Sequence, residues 1–274
     1  MKKTLLATLG LAAALFTVAP ASAHFMMTYT PETYMETATD ADFRIVFTHP
    51  TEAGHVMDMG GVNEFYVLNK RGEKTNKTDL KQYLKDITWE NPGSKAPAFS
   101  AKVPKKVIRS MGDHIFVLVP GYYMEKEEGI YMQQITKLMV NVGGAPTAWN
   151  EPVGLKCEIV PFIKPYALWT GNVFNGQVLS GGKPVAGAEI EVEYMSNMPN
   201  MKTNKMPKES SVKYENPSLV TQTIYADANG QFAFGIPKAG WWGFAALGVG
   251  PDTKYKGKDL SQDAVLWVQA VDMK

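Results

Sequence analysis

The fold is decided by a stretch of strict alternation, Glu189-Ile190-Glu191-Val192-Glu193-Tyr194. Its acidic side chains fall on one face and its apolar side chains on the other, which is the period of a strand buried on one side. Further β-like runs, separated by Gly, Pro, Asn and Asp, occupy residues 176–179, 221–225, 231–234, 240–247 and 264–271. Short strands at this spacing predict a small antiparallel β-sandwich in the second half of the chain.

The first half shows the same organisation. Runs typical of strands occupy residues 43–48, 64–68, 114–119 and 137–142, and the one short helix that we predict lies near residues 78–84. The join between the halves is expected within residues 158–166, where Pro161 and Pro165 interrupt the pattern. We therefore predict an all-β protein made of two antiparallel β-sandwich domains, residues 24–163 and residues 164–274.

Composition excludes several classes of function. With 45% hydrophobic and 20% charged residues, the chain is expected to form packed cores. A formal charge of +1 argues against a nucleic-acid-binding protein, which needs a basic patch to displace counterions. A single Cys excludes an intramolecular disulfide and a multi-cysteine metal centre. Any chemistry that needs imidazole must draw on four histidines.

The first 23 residues have the pattern of a secretory signal peptide. Lys2 and Lys3 precede an apolar run over residues 5–18, and Ala21-Ser22-Ala23 supplies a small-residue cleavage site. We expect cleavage after Ala23 and export to the periplasm, with the formal charge falling from +1 to −1 because two lysines and no acid are removed. No later stretch is apolar enough to predict a membrane span.

Cleavage after Ala23 would make His24 the first residue of the mature protein. Its α-amine and its imidazole Nδ1 could then chelate one metal ion, because the amine proton is readily displaced near neutral pH. A second group of donors lies on the loop that follows the strand at residues 43–48. The predicted metal ligands are His24 and His49, followed by His55, with Met57 and Glu52 as weaker candidates. The alternative is that His49 forms a turn and His55 is solvated.

The remaining candidates have structural interpretations beside functional ones. His114 is expected in the core, and Cys157 as a buried thiol without a neighbouring base. The spacing of Met195, Met198 and Met201, within a loop that extends to Met206, resembles a Cu(I)-binding ladder, although a flexible methionine-rich loop is the simpler interpretation. Two further features are assigned to structure, namely a hairpin turn at residues 227–230 and core or interface packing by Trp241, Trp242, Tyr122, Tyr123 and Trp149, for which a sugar-binding surface is the alternative.

Several stretches resemble the NikK-type periplasmic accessory components of energy-coupling-factor nickel and cobalt transporters, a family catalogued as a domain of unknown function. They are Ala23-His24-Phe25, Phe47-Thr48-His49-Pro50, Met57-Asp58-Met59, Thr136-Lys137, residues 165–172, residues 191–194 and residues 238–246. The second half is also similar to transthyretin-like and carboxypeptidase-regulatory-like sandwiches, which implies Ig-like or transthyretin-like domains. In this resemblance His24 and His49 match the family pattern best, whereas His55 and the methionine-rich loop depart from it.

The resemblance implies capture of Ni²⁺ or Co²⁺, as cargo, for membrane-embedded transporter subunits, without catalysis. Two alternatives stay open. One is a copper-binding protein, or a copper enzyme that oxidises polysaccharides through a histidine brace that includes His24. The other is a non-catalytic adhesion or carbohydrate-binding module. No nucleophile elbow, phosphate loop or dinucleotide-binding motif is present, so nothing in the sequence requires an enzyme.

Overall fold

The computed structural model describes residues 24–208 and 210–274. The predicted signal peptide, residues 1–23, lies outside the described residues. The strands are β1 (Phe25–Tyr29), β2 (Tyr34–Met35), β3 (Ala41–Thr48), β4 (Val56–Met57), β5 (Val62–Arg71), β6 (Lys74–Asp79), β7 (Leu84–Asn91), β8 (Ser94–Val103), β9 (Gly112–Pro120), β10 (Tyr123–Glu125), β11 (Ile130–Val142), β12 (Cys157–Pro161), β13 (Leu168–Trp169), β14 (Val173–Ser180), β15 (Lys183–Pro184), β16 (Glu189–Tyr194), β17 (Thr221–Tyr225), β18 (Gln231–Gly235), β19 (Gly240–Ala246), β20 (Lys254–Tyr255) and β21 (Lys258–Val271). Short 3₁₀ turns occupy Lys81–Tyr83 and Pro217–Leu219.

These strands form three sheets, which confirms the all-β prediction. A five-stranded sheet has the order β1-β3-β8-β7, with β4 also paired to β3. A twelve-stranded sheet follows the order β17-β16-β19-β21-β11-β9-β5-β6, with β2, β10, β13 and β20 attached beside this path. A four-stranded sheet has the order β12-β14-β15, with β18 also paired to β14.

The twelve-stranded sheet crosses the predicted domain boundary. Strand β11 of the first half pairs in parallel with β21 of the second half, from Tyr131 opposite Leu260 to Leu138 opposite Trp267. This sheet is therefore mixed, whereas the strands of the other two sheets pair only antiparallel. Parallel partners need a long connection, and here the whole second half of the chain supplies it. The division into residues 24–163 and residues 164–274 stays a prediction, and the two segments share one sheet.

Two apolar cores lie on opposite faces of the large sheet. One core joins it to the five-stranded sheet through side chains such as Phe25, Trp241 and Trp267. The other includes Phe174 of the four-stranded sheet and Trp242 and Phe244 of the large sheet. Because successive residues of a strand point to opposite faces, the neighbours Trp241 and Trp242 enter different cores. Among the described residues, no helix is long and apolar enough to cross a membrane.

Strand β16 corrects one expectation from the sequence. Its bounds, Glu189–Tyr194, are those of the alternating stretch. However, Glu191 and Glu193 are buried, with exposures of 8% and 1%, although alternation had placed the acids on a solvent face. Elements of the first half of the chain cover that face, so both sides of the strand are inside the protein. The predicted helix within residues 78–84 is a single 3₁₀ turn, Lys81–Tyr83.

Candidate metal site

The structure brings His24 and His49 together. Strand β1 pairs antiparallel with β3, and the register places Phe25 opposite Thr48 and Met26 opposite Phe47. One step further along the same register, His24 lies opposite His49, on the same face as Phe47. The two imidazole rings are 4.6 Å apart between centroids. The strand pairing therefore creates the contact between two histidines that are distant in sequence.

A carboxylate and an aromatic wall surround the His24 ring. Its Nε2 lies 3.3 Å from Oε2 of Glu125, and both side chains are mostly buried. The rings of Phe47 and Tyr123 lie 5.7 and 5.9 Å from it. Burial, with the charge of Glu125 adding to it, raises the pKa of Tyr123 to about 12, so this phenol stays protonated and its hydroxyl donates to Glu125 at 3.3 Å.

The backbone at His24 is held by the large sheet. The side-chain amide of Gln134 donates to the His24 carbonyl at 2.7 Å, while its Oε1 accepts from the Met26 amide at 2.7 Å. The same amide group also donates to Oδ2 of Asp263 at 3.2 Å. Burial raises the pKa of Asp263, whose other oxygen accepts from the Gly248 amide. The start of β1 is thus fixed from beneath by a connected polar network.

The loop that carries His49 is closed tightly on itself. The Gly54 amide donates to the His49 carbonyl at 3.0 Å, and a Cβ at Gly54 would lie only 3.0 Å from the His49 Cβ. Asn91 donates to the Gly54 carbonyl and to Thr48 Oγ1, at 2.8 and 2.9 Å. His49 itself is 8% exposed. The turn presses its glycine against the imidazole and limits the ring to one environment.

A buried acid of the second half anchors the same loop. The Thr51 hydroxyl lies 2.9 Å from Oε2 of Glu193 and 2.9 Å from the Tyr194 carbonyl, and Thr221 donates to the other Glu193 oxygen at 2.5 Å. Burial raises the pKa of Glu193 to about 8. A neutral carboxyl can donate to Thr51, whose single proton then goes to the Tyr194 carbonyl.

The other predicted ligands have surroundings that differ from those of the histidine pair. His55 is exposed, and its carbonyl accepts a hydrogen bond from Thr48 Oγ1. Met57 is 3% exposed and packs in the core, and Glu52 is exposed. The pairing of β3 with β4 stops at Thr48 opposite Val56. One further step in the same register would pair His49 with His55, but neither residue belongs to a strand. Within residues 24–208 and 210–274, no group of three or more His, Cys, Asp and Glu side chains is arranged to hold a metal ion.

The methionine-rich loop does not form a ladder with a common environment. Met195 and Met206 are core residues with exposures of 2% and 3%, whereas Met198 is 51% exposed. Met201 is half-buried and packs against the core. The ends of this loop are thus part of the protein interior, which differs from the flexible segment that its sequence suggests.

Three structural interpretations are confirmed, those of His114, Cys157 and the hairpin turn at residues 227–230. His114 is fully buried, its Nε2 lies 2.8 Å from the Ser110 carbonyl, and burial lowers its pKa. Cys157 is buried, and burial raises its pKa, so it is not a nucleophile at neutral pH. Asp227 accepts from the amides of Asn229 and Gln231, and Gly230 has a φ of +71°, as a hairpin turn requires.

The sequence did not predict that three residues, Glu125, Gln134 and Tyr123, would contact His24. Tyr123 had been noticed only as one of several aromatic residues. Glu125 lies on a three-residue strand, β10, that is paired to β11. Nothing in the sequence relates this hairpin to the start of β1. The strand predicted over residues 137–142 is part of β11, but it does not reach Gln134 or reveal the partner of that side chain.

Comparisons with known proteins identify a family. A family model described as "Domain of unknown function (DUF4198)" matches residues 21–250. Among solved structures, the D0-D1 domain of Intimin is 13% identical, with coverage of 89% of this chain and 97% of that one and a TM-score of 0.22. The Yersinia pseudotuberculosis adhesin InvE is 12% identical, with coverage of 88% and 58% and a TM-score of 0.22.

A mouse nectin-like molecule 4 ectodomain is 10% identical, with coverage of 90% of this chain and 64% of that one and a TM-score of 0.20. No curated protein matches the chain. At these identities and TM-scores, the likeness to solved structures carries no argument.

Proposed function

This chain belongs to the DUF4198 family, whose description names no activity, and we propose that it captures Ni²⁺ or Co²⁺ for a membrane uptake transporter. The observation that carries the proposal is the 4.6 Å contact between the rings of His24 and His49. In this proposal, residues 1–23 are a signal peptide, the protein acts in the periplasm, and the metal ion is its cargo.

Processing would complete the donor set. Two imidazoles alone are too few to hold a divalent ion firmly, which fits the finding that no three side chains converge in the described residues. Cleavage after Ala23 adds the α-amine of His24 next to its own ring. The amine and the His24 imidazole would form a chelate, and His49 would supply a third nitrogen. Nitrogen-rich sets of this kind suit Ni²⁺ and Cu²⁺.

Glu125 supports this arrangement through the other ring nitrogen. A carboxylate 3.3 Å from Nε2 favours the tautomer that carries its proton there. The lone pair is then on Nδ1, which is the nitrogen that can form a chelate with the α-amine. Histidine ligands of metal ions commonly donate their second N–H to a carboxylate in this way, and such contacts raise the basicity of the ligand.

The rigid surroundings favour binding over catalysis. Gln134 fixes the His24 carbonyl, and Asn91 with Gly54 fixes the His49 loop, so little ordering would be needed when the ion binds. The low exposure of both rings also leaves little space for a substrate beside the ion. A site that holds its cargo and later releases it to a partner needs no further catalytic group.

The experiment uses protein exported with its own signal, whose first residue is confirmed as His24 by mass spectrometry. Calorimetric titration with NiCl₂ and CoCl₂ is expected to give one ion bound per chain. A matched protein with one alanine added before His24 is expected to lose most of this affinity, because its amine is displaced from the ring. Equal affinity of the two proteins would contradict the proposed ligand set, and no binding by either would contradict the function.

Copper is the second candidate, and the position of Tyr123 favours it. An N-terminal His, a second His and a neighbouring aromatic ring are the components of a copper histidine brace, and Tyr123 lies 5.9 Å from the His24 ring. Affinity alone does not decide between the metals, because Cu²⁺ binds nitrogen sites more tightly than Ni²⁺ in general. Nickel accumulation by cells that lack the gene separates transport from copper chemistry. Release of oxidised oligosaccharides by the copper-loaded protein with a reductant would favour the enzyme instead.

A further inference from the structure

A cavity of about 320 Å³ lies at the β17 edge of the large sheet, between the sheet and the segment at residues 212–220. Tyr194 and Trp242 line it from the sheet, and Tyr214 and Leu219 line it from the segment. Lys213 and Lys238 complete the wall. Its volume is at the lower end of the range, about 300–1,000 Å³, that small-molecule sites occupy. The residues that line it are separate from the His24–His49 pair.

The aromatic wall of this cavity is fixed by the backbone beside it. Trp242 donates its indole N–H to the Lys238 carbonyl at 2.9 Å, and the Tyr194 hydroxyl donates to the Ala239 carbonyl at 2.9 Å. The two rings lie 4.9 Å apart. Because their polar atoms already have partners, these rings offer the cavity apolar surface in a fixed geometry.

The charged part of the cavity is entirely positive. No Asp or Glu lines it, and neither Lys213 nor Lys238 forms an ion pair with the part of the chain that the structure describes. The hydroxyl of Tyr214 is buried and interacts with the Thr51 side chain, close to the Glu193 carboxyl. Burial raises the pKa of Tyr214 to about 12, so its hydroxyl is a donor at neutral pH. The two lysines are therefore the groups of this cavity that can attract an anion.

We propose that this cavity binds a small planar aromatic carboxylate. The ring of the ligand packs among Trp242, Tyr194 and Tyr214, where it removes apolar surface from water. Its carboxylate lies toward Lys213 and Lys238. An apolar pocket with a few polar groups at one end is the common design of small-molecule sites, because the apolar part supplies affinity and the polar end fixes orientation.

The test is a calorimetric titration of the processed protein with 1-naphthoate. Neutral 1-naphthalenemethanol and cationic 1-naphthylmethylamine have nearly the same ring and size. We expect 1-naphthoate to bind most tightly and the amine least. Equal binding of all three probes would show a nonspecific apolar patch and would overturn the proposal, as would no binding of 1-naphthoate. Binding of galacturonate in preference to 1-naphthoate would overturn the assignment of an aromatic ligand.

Variants locate the site and separate it from general charge effects. The double variant Lys213→Ala/Lys238→Ala is expected to weaken 1-naphthoate binding about tenfold, which is a typical loss for two exposed charge contacts. The control Lys106→Ala/Lys183→Ala removes two exposed lysines outside the cavity and is expected to leave binding unchanged. Equal losses in both double variants would show that net charge, and not this cavity, attracts the probe.

Discussion

The rings of His24 and His49 lie 4.6 Å apart because the antiparallel register of β1 and β3 places the two residues opposite each other at the ends of their strands. This contact depends on backbone pairing and not on local sequence. Substitutions on the loop should therefore divide sharply into those that change the pair and those that do not.

His49→Ala should reduce Ni²⁺ affinity by more than about 100-fold, since loss of a direct ligand exceeds the 10–100-fold cost of losing an outer contact. The matched control is His55→Ala, because His55 is exposed on the same loop. It should leave the affinity within about twofold. Calorimetry on protein that begins at His24 measures both values. A loss of similar size in both variants would mean that His55 also binds the ion.

Glu125→Gln should weaken metal binding about 10–100-fold while the fold is retained, because the amide can no longer favour the Nε2–H tautomer of His24 as a carboxylate does. Glu127→Gln is the control, since Glu127 is an exposed acid on the same hairpin. It makes the same change in net charge. If the two variants lose affinity equally, long-range charge and not orientation of His24 explains the effect.

Much of this site follows from the sequence, but its supporting residues do not. Alternation identifies β16 with its observed bounds, and the predicted cleavage point singles out His24. The same alternation places Glu193 on the solvent side, because a single strand does not reveal what covers its second face. Glu125 and Gln134 reach His24 only because the twelve-stranded sheet packs against the sheet that contains β1. Local patterns therefore predict strands and ligand types, whereas burial and second contacts depend on how the halves pack.

Burial of Glu193 makes stability depend on pH. Its pKa rises from an ordinary value of 4.5 to about 8, so the folded state binds a proton that the unfolded chain releases at lower pH. Stability from this group is complete below about pH 4.5 and falls as pH rises toward about 8. Glu193→Gln should remove the part of the decrease in stability with rising pH that Glu193 causes. The free energy of unfolding of this variant near pH 8 should exceed that of the wild type by roughly 1–3 kcal/mol.

Urea unfolding at several pH values between 4 and 9 measures this difference. Glu73→Gln is the control, because Glu73 is an exposed acid far along the chain from β16. It should leave the slope of the free energy of unfolding against pH unchanged. Glu191 contributes in the same direction, since burial raises its pKa to about 7, so some pH dependence should persist in Glu193→Gln. If Glu193→Gln had the same slope as the wild type, this pH dependence could not be assigned to Glu193.

Gly243 lets β1 approach the large sheet, and its substitution should affect both stability and metal binding. A Cβ at this position would lie 2.9 Å from the Phe25 ring and 2.9 Å from the Trp267 ring. Gly243→Ala should lower the free energy of unfolding by about 1–3 kcal/mol, as overpacking of a filled core does. Phe25 follows His24 directly, so displacement of its ring should also shift His24 and reduce Ni²⁺ affinity.

Gly235→Ala is the matched control, because a Cβ there meets no atom within 4 Å. It should change neither quantity beyond about 0.5 kcal/mol, the usual effect of a substitution away from packed contacts. Thermal unfolding and calorimetry with NiCl₂ on the same preparations compare stability with affinity. If Gly243→Ala lowered stability but left affinity intact, the histidine pair would be positioned by the Gln134 hydrogen bonds alone. A combined loss means that packing beneath Phe25 helps to hold the pair in place.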